Sequence, residues 1–104
     1  MSEEHDLGPV ERIPPGEGRT FDLGERRVAV FRTRAGRVYA TQASCPHREG
    51  PLADGLLDDR CIVCPLHGFK FDLETGEPLG HDCDGLETYV VSVASDGRVL
   101  LSIE

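Results

Sequence analysis

Two short segments of this chain carry sulfur and nitrogen donors at metal-binding spacing. They are Cys45-Pro46-His47 and, beyond residues 48–63, Cys64-Pro65-Leu66-His67. A proline follows each cysteine, removing a backbone donor and fixing φ, so each segment reads as a turn. A turn can aim a thiolate and an imidazole the same way. A strand does so only for an i, i+2 pair and a helix only for i, i+3 or i+4. A zinc finger groups like ligands, C-x2-4-C with H-x3-5-H. Here each turn contributes one Cys and one His. That set suits a two-iron, two-sulfide unit in which one iron takes both thiolates and the other both imidazoles. A structural zinc-binding module is the alternative that the same four side chains leave open.

The pattern C-x-H, a spacer, then C-x-x-H resembles the Rieske [2Fe–2S] family, as do Gly50-Pro51-Leu52, Gly55 and Gly68. The resemblance spans nearly the whole chain. It implies an all-β fold, a small antiparallel sandwich or barrel with a cluster-binding subdomain of two loops. It also implies one [2Fe–2S] cluster per chain, held by Cys45, His47, Cys64 and His67, with the imidazole edges of His47 and His67 as the exit for electrons. Pro51, Leu52 and Phe69 would then shield the cluster and form an apolar docking rim. Family members working at high potential carry an extra cysteine in each loop, joined as a disulfide, and a Ser and a Tyr hydroxyl donating to sulfur. This chain has Gly50, Leu66, Phe69 and Phe71 at those positions. Without these donors, negative charge on sulfur is less stabilised, and a low potential is expected.

A length of 104 residues fits one domain. We expect a tail over residues 1–6 and a single domain over 7–104, its cluster-binding part about 44–72. With 38% hydrophobic residues, 12 Gly, 7 Pro and no Trp, the core should be modest and the loops numerous. A metal centre tying two loops would add stability. The first residues are too acidic for a signal peptide and no apolar run is long enough to span a bilayer, so a cytoplasmic location and no membrane partner are expected. A net charge of −8 argues against nucleic acid. Two disulfides among the four cysteines would need an oxidising compartment and would leave His47 and His67 unexplained.

The elements positioning the loops read as short strands. Val10–Ile13, Arg19–Leu23, Arg27–Thr33 and Val38–Thr41 form a meander with a turn at Arg34-Ala35-Gly36. Along Arg27–Thr33, Val28, Val30 and Arg32 share one face, with Ala29 and Phe31 on the other. Leu56-Leu57 and Arg60–Val63 fold about Asp58-Asp59, placing the two loops side by side. Phe69–Asp72 leaves the second loop, residues 77–85 form a polar loop, and Thr88–Ala94 with Arg98–Ile103 closes the chain as a hairpin.

Outside the four donors, His5 and His81 read as solvent-facing. Cys61 with Cys64 makes a C-x-x-C, but a thioredoxin-like motif needs a helix after a βαβ pattern, and none is present. Cys61 reads as a buried strand residue and Cys83 as a thiol in an acidic loop. Arg19, Arg26, Arg27, Arg32, Arg34 and Arg37 precede the site, whereas Asp72, Glu74, Glu77, Asp82, Asp84 and Glu87 follow it. Such a charge dipole could steer a redox partner.

The function implied is one-electron transfer, with no turnover alone and no catalytic residues. Ile13–Arg19, residues 45–52 and Thr75–Gly80 look most like the small subunit of an assimilatory NAD(P)H-dependent nitrite reductase, whose large subunit would hold sirohaem. The alternative is a free Rieske ferredoxin of an aromatic-ring dioxygenase. Both readings require a redox partner protein, a large reductase subunit in one and a flavoprotein reductase with an oxygenase in the other.

Overall fold

The computed structural model describes residues 3–24, 26–45, 51–65, 68–80 and 84–103. Ten strands run in chain order: β1 Glu3–Pro9, β2 Glu17–Asp22, β3 Arg27–Arg32, β4 Val38–Gln42, β5 Leu56–Asp58, β6 Cys61–Val63, β7 Lys70–Asp72, β8 Pro78–Leu79, β9 Thr88–Val93 and β10 Arg98–Ile103. Six form one sheet in the order β1-β10-β9-β4-β3-β2, and four form a smaller sheet in the order β5-β6-β7-β8. All pairings are antiparallel. The described residues contain no α-helix, only 3-10 turns at Val10–Arg12 and Leu52–Asp54. The all-β expectation holds.

Strand β3 explains how two sheets share one small chain. Side chains alternate across a strand with period two, and here both faces are apolar. Val28 and Val30 enter one core with Ile13, Ala40, Val99, Leu101 and Ile103. Ala29 and Phe31 enter a second core with Leu52, Ile62, Phe71, Leu73 and the two loop cysteines. All four β3 side chains are fully buried. The first core also draws Leu7 from β1 and Phe21 from β2, the two outer strands, so the large sheet curls around it. The second core lies between the opposite face of β3 and the small sheet. Arg32 continues the Val28–Val30 face, as expected, and its Nη1 donates to the Ile13 carbonyl at 3.0 Å.

Three segments differ from the sequence expectation. Glu3–Asp6 is strand rather than tail, paired with β10 from Glu3–Ile103 to Asp6–Leu100, and Val10–Arg12 is a 3-10 turn rather than strand. The cause is the free edge of β10, whose backbone groups recruit any extended segment whatever its side chains. Asp6 adds local anchors: its Oδ1 accepts the Gly8 N–H at 2.9 Å and its Oδ2 accepts Arg98 Nε at 2.7 Å. Pro78–Leu79, expected as loop, pairs with β7. It is turned there by Gly76 at φ +81° and by the Glu74 and Thr75 N–H groups donating to Asp72 Oδ1.

The hydrogen bond from Arg98, then that from the Gly8 N–H, holds the Asp6 carboxyl below the ordinary carboxylate range. A lowered folded-state pKa gives stability that is fully present above the unfolded value, about 3.9, and is lost as pH falls through the folded value. Asp6→Asn should therefore melt below wild type at neutral pH. The gap should close on acidification below pH 4, read by thermal denaturation across pH 3–7.

Candidate metal centre

Each loop cysteine stands where backbone pairing closes a turn. Ser44, just before Cys45, bridges antiparallel to Pro51, and the Leu52 N–H donates to the Ala43 carbonyl at 3.0 Å. Cys64 follows β6; its N–H donates to the Phe69 carbonyl at 2.7 Å, and its carbonyl accepts the Gly68 N–H at 2.9 Å. Gly68 sits at φ +70°, a conformation glycine adopts at no steric cost. The strand pair β5–β6 holds the two turns side by side through Leu56–Val63, Leu57–Ile62 and Asp58–Cys61. Asp59 completes its turn at φ +55°.

Cys45 and Cys64 are each 1% exposed and belong to one packed group with Phe31, Leu52, Ile62 and Phe71. The fold thus places in one buried apolar cluster two thiols that lie far apart in sequence. His47 and His67, together with Gly50 and Leu66, lie outside the described residues, as do His81 and Cys83. No disulfide joins the described cysteines. Two buried thiols without a disulfide, in one apolar cluster and each next in sequence to a segment that carries a histidine, suit a sulfide-bridged iron pair whose soft ligands are thiolates.

Other candidates fall elsewhere. Cys61 is a free thiol on strand β6, half-buried rather than buried, and begins no helix. His5 Nε2 lies 3.4 Å from a Glu3 carboxylate oxygen on β1. Of the expected apolar rim, Leu52 is wholly internal, Phe69 packs at the edge of the second core and Pro51 is exposed. The charge dipole is partly cancelled by Arg60, which the sequence reading passed over. Its Nη1 reaches Glu74 at 2.8 Å and its Nη2 reaches Asp72 at 3.4 Å. Arg60 thereby ties the β5–β6 turn to the turn after β7. Its carbonyl accepts the Leu73 N–H at 2.8 Å. On β9, burial and then a hydrogen bond to Glu87 push the Tyr89 phenol up. Arg26 stacks 5.7 Å from its ring centroid.

Comparison with known proteins agrees with this arrangement. The model of the Rieske [2Fe-2S] domain matches residues 3–90. The ferredoxin component of the 2,4-dinitrotoluene dioxygenase system of Burkholderia sp. (strain RASC) is 39% identical over 103 residues, covering 95% of this chain and 94% of that protein. The ferredoxin of carbazole 1,9a-dioxygenase from Nocardioides aromaticivorans IC177 superposes with a TM-score of 0.84 at 30% identity, over 94% of this chain and 95% of that one. A Mycobacterium tuberculosis protein described as an NADH-dependent nitrite reductase small subunit shares the fold with a TM-score of 0.91 at 22% identity, over 100% of this chain and 97% of that one. Membership implies a [2Fe–2S] cluster and an electron-transfer role. No helix among the described residues is long and apolar enough to cross a membrane. By the sequence match and by the fold, this chain belongs to the Rieske [2Fe–2S] family.

Proposed function

We propose that Cys45, His47, Cys64 and His67 hold the cluster. On this reading the chain passes single electrons from an NAD(P)H-driven flavoprotein reductase to the terminal component of an oxygenase system. When bound, the cluster supplies reversible storage of one electron. The chain's own part is to bury the two thiolates against Phe31, Leu52 and Phe71, to exclude water there, and to leave the histidine-bearing loops for contact with partners. The observation that carries the ferredoxin reading is the 39% identity to a dioxygenase ferredoxin across almost the full length of both chains. A second reading, the small subunit of a nitrite reductase, is supported at the level of fold by the whole-length superposition on the M. tuberculosis protein, and by the segments Ile13–Arg19 and Thr75–Gly80. In either case we place the protein in the cytoplasm, where thiols stay reduced for cluster assembly.

The two readings predict different assemblies. A ferredoxin is reduced by NADH through a flavoprotein reductase and reoxidised by a separate oxygenase that it meets transiently. A reductase subunit purifies from its own cells at fixed stoichiometry with a sirohaem protein. Anaerobic stopped-flow of the purified chain with reductase and oxygenase tests the first. Failure of reduction in that mixture, together with co-purification of sirohaem absorbance, would establish the second.

Phe69 and Phe71 offer no hydroxyl to sulfur, and Phe71 is fully buried in the same packed group as Cys64. Reduction adds negative charge, which this apolar lining leaves poorly solvated. The midpoint should lie nearer about −150 mV than +300 mV, the ends of the Rieske range. A redox titration followed by visible absorption or EPR measures it, and a clearly positive value refutes this account of the lining.

A further inference from the structure

The backbone at Gly55 has a conformation that any residue can adopt, φ −75° and ψ 175°, so turn geometry does not demand glycine there. Space does. A Cβ at Gly55 would collide with the Val63 carbonyl oxygen and lie 3.1 Å from the Leu52 carbonyl oxygen and 3.2 Å from Ile62 Cδ1. Val63 immediately precedes Cys64, and Gly55 stands one step beyond the Leu56–Val63 pair in the β5–β6 ladder. The same short segment is tied to the other cysteine. Pro51 bridges Ser44, next to Cys45, the Leu52 N–H donates to Ala43, and the Gly55 N–H donates to the Leu52 carbonyl at 3.0 Å. Residues 51–55 thus form a rigid bracket, fastened at one end beside Cys45 and pressed at the other against the backbone leading into Cys64. Leu52, fully buried between both cysteines' neighbours, fills its inner side.

We infer that Gly55 is a positioning residue that sets how closely the two cysteine-bearing backbones approach, and through that spacing tunes the cluster's electronic structure and potential. The inference rests on the proposed ligand set. A side chain at position 55 pushes the Val63–Cys64 backbone away from the bracket, because neither carbonyl can give way as a flexible side chain would. Thiolate geometry and the surroundings of the ligand sulfurs are among the levers a protein has on such a centre.

The test compares Gly55→Ala with Gly76→Ala in the full chain, each reconstituted with iron and sulfide. Gly76 is equally crowded, its Cβ position meeting the Leu86 carbonyl oxygen, and it sits at φ +81°, but it lies in the turn after β7. Both variants should melt below wild type. Only Gly55→Ala should show shifted EPR g-values and a displaced midpoint, with fewer irons per chain. Wild-type g-values and midpoint in loaded Gly55→Ala overturn the inference. Should Gly55→Ala yield no folded protein, Leu52→Val, which loosens the same bracket from inside, decides by the same two readouts. Unchanged values there also overturn it. A wild-type chain that takes up no iron and sulfide overturns the ligand reading, and the inference with it.

Discussion

Cys64→Ser is expected to give a colourless, EPR-silent protein after reconstitution with iron and sulfide, where wild type takes up two irons and two sulfides. The reason lies in the pocket. Cys64 is 1% exposed, so a serine hydroxyl there stays protonated, since ionising it would place an unpaired charge in an apolar site. Its oxygen is also a hard donor where the iron pair prefers a soft thiolate. The loss should extend to stability, because the proposed ligand set would tie the two cysteine segments together and metal-binding energy is folding energy in a domain of this size. Iron and acid-labile sulfide analysis, with thermal melting of wild type and variant, checks both parts. The same assay on wild type separates the iron reading from zinc, because a zinc site holds one metal and no sulfide. A variant that retains the full visible spectrum would remove Cys64 from the ligand set.

Phe31→Ala should be the most damaging substitution away from the ligands. Phe31 is fully buried on the face of β3 that supports the small sheet, in the same packed group as Cys45 and Cys64. It is also sealed from the β2 side, since a Cβ on Gly18 would stand 2.6 Å from its ring. Truncating a buried Phe to Ala costs about 3–5 kcal/mol, a large part of the roughly 5–15 kcal/mol that holds a domain together. At about 4–8 °C per kcal/mol for a domain of this size, the melting temperature should fall by at least about 12 °C. Iron content should fall with it, because the cavity opens in the packed group that holds Cys45 and Cys64. Val30→Ala provides the contrast. Val30 is equally buried and only one residue away, but it enters the opposite core. It should destabilise less and leave iron content per folded chain at the wild-type value. Equal iron loss in the two variants would mean that the cores are not mechanically distinct.

The four proposed donors were named from the sequence because their meaning is chemical: residue type and short spacing carry it, and no folded neighbour is needed to read it. The turns at Arg34-Ala35-Gly36 and Asp58-Asp59 and the closing hairpin of Thr88–Ala94 with Arg98–Ile103 were legible for a related reason, since turn preferences act within a few residues. The two-faced character of β3 could be read from its alternation. Which face supports the metal centre could not, because a period of two says that the faces differ and not what covers each. Strand β1 was invisible because its pairing joins residues a whole chain apart, such as Glu3 with Ile103, through backbone groups that every residue possesses. The cancelling role of Arg60 was hidden because its carboxylate partners come from another turn. Gly55 shows the division most plainly. Its presence beside the first turn can be seen in the sequence, but the demand for a missing Cβ arises only where the Val63 carbonyl presses against it in the folded chain. Family membership and local turns rest on short-range patterns of residue type, and the sequence alone determined them. Edge pairing, the choice of core and the approach of the two cysteine backbones depend on contacts between distant segments, and only the tertiary structure decided them.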